Sequence, residues 1–115
     1  MTPKQWYLYI VNLEPRIGTK PGKQRPCLSI QPSEFCINGL DSTVVLPITT
    51  QLIDHAFPLR VRIPKEIVAG LHQDSDIIID QILAWDNDLF QKEVGKLPDY
   101  LIDETKLALQ DFLDL

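Results

Sequence analysis

At 115 residues and 44% hydrophobic, the chain is long enough for one compact domain with a core and too short for two, so residues 1–115 are read as a single unit. No apolar run reaches the roughly 20 residues of a membrane-spanning helix, and the start, Met1 to Gln5, lacks the apolar segment of a secretory signal, which leads us to expect a soluble, cytoplasmic protein. A net charge of −5 disfavours a protein that coats long polyanions unless its cations are gathered locally. They are gathered: residues 1–25 hold five cations against one acid, a balance of +4, while residues 26–115 carry −9.

Taken in order, Trp6 to Leu13 is aromatic and β-branched and reads as a first strand, closed by Glu14-Pro15. Gly18-Thr19-Lys20-Pro21-Gly22-Lys23-Gln24-Arg25-Pro26 is a stiffened basic loop, because its prolines restrict φ and its cations resist burial without an anion. It is too long for a tight hairpin turn, and either a ligand-holding or a solvated loop fits it. Cys27 to Gln31 reads as a second strand, broken at Pro32, and Asn38-Gly39 marks a turn before a third strand, Ser42 to Thr50. Phe57 to Ile63 sets Leu59, Val61 and Ile63 against Arg60 and Arg62, the alternation of a half-buried strand. Pro64 to Leu71 is a short helical turn or loop.

Ser75 to Trp85 reads as one long apolar strand interrupted by Asp80-Gln81, of which at least one must face solvent or a ligand. Leu89 to Val94 adds a helical turn or a short strand. Pro98 to Leu113 places Leu101, Ile102, Thr105, Ala108, Leu109, Phe112 and Leu113 on one side, an amphipathic helix with acids near its start. Together these elements predict a mostly β, α+β fold: a small, strongly curved antiparallel sheet or barrel with the helix packed on it.

Conventional catalytic motifs are missing: there is no nucleophile elbow, phosphate loop or dinucleotide fingerprint. Cys27 and Cys36 stand nine apart, outside paired-ligand spacing, and are expected to be free thiols. His55 and His72 are isolated and read as surface residues, so neither a metal nor another cofactor is expected. What remains is a set of strand-end polar residues, Arg25, Thr49, Thr50, Asp80 and Gln81, beside Lys20 and Lys23.

In order and spacing, Leu13-Glu14-Pro15, Gly18-Thr19, Gly22-Lys23-Gln24-Arg25-Pro26, Pro47-Ile48-Thr49-Thr50, Asp80-Gln81-Ile82 and Val94-Gly95-Lys96-Leu97 before a terminal helix resemble the MazF/PemK toxin family. The resemblance spans nearly the whole chain. It implies a CcdB/MazF-like, SH3-like barrel, a homodimer, and a sequence-specific, metal-independent endoribonuclease that cuts single-stranded mRNA and is neutralised by a MazE-like antitoxin. By position, Arg25 matches the family's catalytic arginine and Thr49 its catalytic threonine, while Thr19, Lys20, Lys23, Thr50, Asp80 and Gln81 are expected to contact RNA. The family's products are a 2′,3′-cyclic phosphate and a 5′-hydroxyl. Lys20-Pro21 replaces the acid and glutamine usual in the family's loop, which adds positive charge and stiffness. Two other readings of the same fold stay open here: a CcdB-like gyrase poison, and a catalytically weak member that only binds an antitoxin.

Overall fold

The computed structural model describes residues 1–13 and 23–115, and their strands pair as one antiparallel sheet. The strands are β1 (Tyr7–Leu13), β2 (Lys23–Ser29), β3 (Ser42–Thr49), β4 (Arg60–Ile63), β5 (Ser75–Ile78), β6 (Leu83–Asp86) and β7 (Phe90–Lys96). A short helix α1 (Glu34–Ile37) joins β2 to β3, a 3-10 turn (Asn87–Leu89) precedes β7, and α2 (Asp99–Leu113) ends the chain. Hydrogen-bonded order is β4-β5-β3-β2-β1-β7, with β6 also on β3. The expected curved, mostly β sheet with a terminal helix is present; among the described residues it does not close into a barrel.

β3 is the strand on which the others converge. Its first half pairs with β6 (Ser42↔Asp86 through Val45↔Leu83), and its end pairs with β5 (Ile48↔Ile77, Thr49↔Asp76). Ser75 to Trp85 is therefore two strands and not one. Asp80-Gln81 occupies the connection between them and both residues are exposed, which removes the cost of polar groups inside an apolar run.

Neighbouring residues on the central strands serve opposite faces. Leu8, Leu28, Leu46 and Ile48 join Val61, Ile63, Ile77, Leu97, Leu101 and Ile102 in the main core beneath α2. Tyr9, Val11, Cys27, Val45 and Phe90 form a smaller core on the other face, where the Tyr9 and Phe90 rings meet edge to face at 5.4 Å. Burial on both faces explains the unbroken apolar runs of β1 and β3. Gly95 lets β7 meet the loop after β4, since a Cβ there would lie 2.8 Å from Val68 Cγ1.

α2 buries Leu101, Ile102, Thr105 and Ala108, with the Thr105 hydroxyl donating to the Leu101 carbonyl at 2.7 Å. Its apolar face is shorter than the sequence pattern suggests: Leu109 is half-buried, and Phe112 and Leu113 are exposed. No described helix is long and apolar enough to cross a membrane. α1, absent from the sequence reading, is tied to β3 through Gln31, whose side chain donates to Cys36 Sγ of α1 (3.3 Å) and to the Ser42 carbonyl (3.0 Å) and accepts from Val44 N (3.1 Å).

Both cysteines are free. Burial pushes the Cys27 thiol up to about 12 from its ordinary 9.0, so it stays protonated and unreactive in the folded chain. With Ellman's reagent near pH 8, we expect only the partly exposed Cys36 to react before denaturant is added. Because the folded-state value is raised, Cys27's contribution to stability is complete below pH 9.0 and lost as pH rises toward about 12. Cys27→Ala should remove that part of the alkaline slope in urea titrations.

Candidate active-site groove

Register brings two of the expected residues together. β2 and β3 pair at Cys27↔Pro47, and two residues beyond that rung lie Arg25 on β2 and Thr49 on β3, on the same face by strand alternation. That face is the one carrying the smaller core. Pairing ends there, and the strands open around a groove of about 440 Å³ whose polar lining is Arg25, Thr49, Thr50, Gln51 and Gln81. Pro26 and Pro47 form part of its wall and offer no N–H to any ligand.

The groove continues into an apolar compartment of about 210 Å³ that shares Arg25, Pro26, Pro47, Ile48 and Gln81 and adds Leu13, Leu83 and Trp85. Leu83 and Trp85 reach it because β6 pairs with β3 at Val45↔Leu83 and Thr43↔Trp85.

Arg25 is exposed and Thr49 is half-buried. The backbone N–H of Gln51 donates to Thr49 Oγ1 at 3.1 Å, which occupies a lone pair and leaves the hydroxyl proton free to donate into the groove. Thr50 and Gln81, expected to contact RNA, line the groove. Asp80, expected to contact RNA, is exposed but is not among the lining residues. Thr19 and Lys20 lie outside the described residues, as does the side chain of Lys23.

Under the groove's rim is a charge cluster that the sequence reading passed over. Asp76, with a side chain only 1% exposed, accepts from Arg62 Nε (2.6 Å), Arg60 Nη1 (3.2 Å) and the backbone N–H of Ile53 (2.9 Å). Arg60 Nη1 also donates to the Gln51 carbonyl at 3.0 Å, and Arg62 Nη2 to Asp54 at 2.7 Å. The two arginines expected on the polar face of β4 thus converge on one buried carboxylate. The hydrogen bond from Arg62 holds the Asp54 carboxyl below its ordinary range, and Asp76 and Asp54 together raise Arg62. The available signal was an acid at the head of the isoleucine run of β5, with Arg-x-Arg on a nearby strand. His55 and His72 are exposed, as expected, and His72 Nδ1 lies 3.2 Å from Glu66.

Asp76→Ala removes the anion shared by Arg60, Arg62 and the Ile53 N–H, although both arginines stay partly solvated and Arg62 keeps Asp54. It is therefore expected to lower the urea-unfolding midpoint.

Comparison with known proteins bears on what such a groove is for. A model of the PemK-like, MazF-like toxins of type II toxin–antitoxin systems matches residues 4–113. The chain is 30% identical to Endoribonuclease EndoA of Bacillus subtilis over 115 residues, covering 100% of this chain and 97% of that one. It is 29% identical to Endoribonuclease MazF6 of Mycobacterium tuberculosis over 108 residues, or 94% of each chain. Among solved structures it superposes on a MazE–MazF complex from Deinococcus radiodurans with a TM-score of 0.80 at 19% identity, covering 100% and 99% of the two chains. On the Mycobacterium tuberculosis toxin MazF-mt6 the TM-score is 0.74 at 23% identity, covering 95% and 97%. Since the family model and the EndoA alignment both run through the strands that build the groove, the chain belongs to the PemK-like, MazF-like toxins of type II toxin–antitoxin systems.

Proposed function

We propose that the groove cleaves single-stranded RNA by attack of a ribose 2′-hydroxyl on the adjacent phosphate, without a metal ion, with Arg25 and Thr49 acting on the phosphate. Family membership makes the chain an endoribonuclease toxin of a toxin–antitoxin system, and the cleavage chemistry is our reading of its groove. The observation that carries this reading is the convergence of Arg25 and Thr49 on one groove whose described lining holds guanidinium, hydroxyl and amide groups but no carboxylate, thiol or imidazole.

In that reaction the 2′-oxygen bonds to phosphorus while the bond to the 5′-oxygen breaks. The 2′-hydroxyl gives up a proton and the departing 5′-oxygen gains one, leaving a 2′,3′-cyclic phosphate and a 5′-hydroxyl. The phosphorane between them carries extra negative charge on its oxygens. A guanidinium presents forked donors that match two of those oxygens and sets a full positive charge against them. We therefore assign Arg25 to charge stabilisation. Thr49, already oriented by the Gln51 N–H, adds a further hydrogen bond.

The apolar compartment supports a single-stranded substrate. Trp85, Leu83 and Leu13 beside Arg25 would seat an unstacked base while the cation holds its phosphate. Thr50 and Gln81, which line the groove, would hydrogen-bond neighbouring groups, and Thr19, Lys20 and Lys23 are assigned to the backbone on sequence position alone. The whole chain acts as a single domain in the cytoplasm, where mRNA lies, as a homodimer neutralised by a cognate antitoxin. A disordered antitoxin tail rich in acids and apolar residues would suit both the basic loop and the groove.

Purified protein incubated with a long RNA in EDTA should yield discrete fragments with 5′-hydroxyl ends. Arg25→Ala should slow cleavage by a factor on the order of 10²–10³. Undiminished cleavage by Arg25→Ala, or cleavage abolished by EDTA, would overturn the chemistry proposed. An RNA-inert protein that blocks DNA supercoiling would favour the gyrase-poison reading.

Stacking has its own test, because the chain has two tryptophans and Trp6→Phe leaves Trp85 as the sole tryptophan, which can be excited beyond the absorption of the tyrosines. Titration with uncleavable 2′-deoxy oligonucleotides of mixed sequence should quench that emission, and binding without quenching would exclude a base at Trp85.

A further inference from the structure

We infer that Asp76 is a positioning residue for this groove, acting through Arg60 and the backbone of residues 51–53 and not by touching RNA; the inference rests on the reading of the groove as an RNA-cleaving site. Asp76 is directly opposite Thr49 in the β3–β5 pairing. The chain leaves β3 at Thr49 and at once forms the groove rim with Thr50 and Gln51, both exposed. An exposed rim of this kind has little apolar packing to hold it in one conformation.

Two bonds from the Asp76 cluster supply that hold. Ile53 N donates to Asp76 Oδ2 at 2.9 Å, fixing the far end of the rim. Arg60 Nη1, bound to the same oxygen at 3.2 Å, donates to the Gln51 carbonyl at 3.0 Å and fixes its middle. The Gln51 N–H then holds Thr49 Oγ1 at 3.1 Å. A chain of hydrogen bonds thus runs from a buried carboxylate to the hydroxyl assigned to the phosphate. Arg62 completes the arrangement by neutralising Asp76 from β4, its register partner.

Such a device differs from general support of the fold in what it changes. Misplacing the rim by a fraction of an ångström should weaken transition-state contacts while leaving most of the groove able to hold RNA. We expect Asp76→Asn and Arg60→Gln each to lower the single-turnover cleavage rate by about tenfold or more. Their dissociation constants for an uncleavable 2′-deoxy oligonucleotide should stay within about twofold of the parent's. Because both act through one relay, the double variant should be no slower than the slower single variant.

Leu101→Ala serves as the control for lost stability, since it opens the main core under α2 on the sheet face away from the groove. It should lower the melting temperature and keep the cleavage rate. All rates are to be measured where circular dichroism shows each variant folded.

A folded Asp76→Asn with the parent's rate overturns the inference, as does an equal loss in Leu101→Ala or a loss confined to binding. If Asp76→Asn does not fold, Arg60→Gln decides in the same way, because Arg60 is partly solvated and leaves Asp76 its bonds to Arg62 and Ile53. A parent protein that cuts no RNA overturns the functional reading and this inference with it; a parent that cuts while both variants keep its rate overturns only the inference.

Discussion

A carboxylate buried to 1% exposure among isoleucines is costly unless its oxygens are fully engaged, and Asp76 engages two arginines and a backbone N–H. That requirement makes the surroundings specific. β4 must present Arg60 and Arg62 to β5 in one register, and the chain after β3 must return far enough for Ile53 to meet the same group. Slipping β4 by one residue would turn both arginines to the other face and leave the charge unpaired. The cluster therefore ties the register of one sheet edge to the path of the loop that rims the groove.

The other side of the groove depends on strand pairing. β2 is held between β1 and β3, with Val11 opposite Arg25 and Pro47 opposite Cys27, so the backbone carrying Arg25 is set by two neighbours. An exposed guanidinium on a backbone fixed in this way keeps its side-chain freedom while its base stays put. Against it stand Thr49 and Thr50, placed from the edge that Asp76 controls. The groove lies where two separately anchored pieces of backbone meet.

Polarity is divided along this face. Toward the smaller core, Leu13, Leu83 and Trp85 continue the apolar packing of Val45 and Cys27 out to the surface. Toward the β3–β5 edge, hydroxyl and amide groups replace them. A ligand with flat apolar parts linked by charged groups matches this sequence of surfaces, whereas a uniformly charged duplex backbone does not. The net charge of −5, with its cations concentrated before residue 26, suits the same short anionic contact.

Sequence alone determined the elements with strong periodicity: β1, β3, the amphipathic α2 and β4, although β4 covers only Arg60–Ile63 of the expected Phe57 to Ile63 and leaves Leu59 exposed. It also marked Arg25-Pro26 and Thr49-Thr50, because polar and proline residues at the ends of apolar runs stand out locally and their order carries the family resemblance. Tertiary structure decided the rest. Ser75 to Trp85 became two strands because β3 offers separate pairing sites to β5 and β6, a choice invisible in a continuous apolar run. Asp80-Gln81 looked like the informative polar interruption, yet its carboxylate is exposed at a connection, while Asp76, at the head of the same run, is the buried charge. The physical reason is that the cost of a charge depends on burial and partners, and both are set by segments distant in the chain: Arg60, Arg62 and Ile53 reach Asp76 only once the sheet has formed.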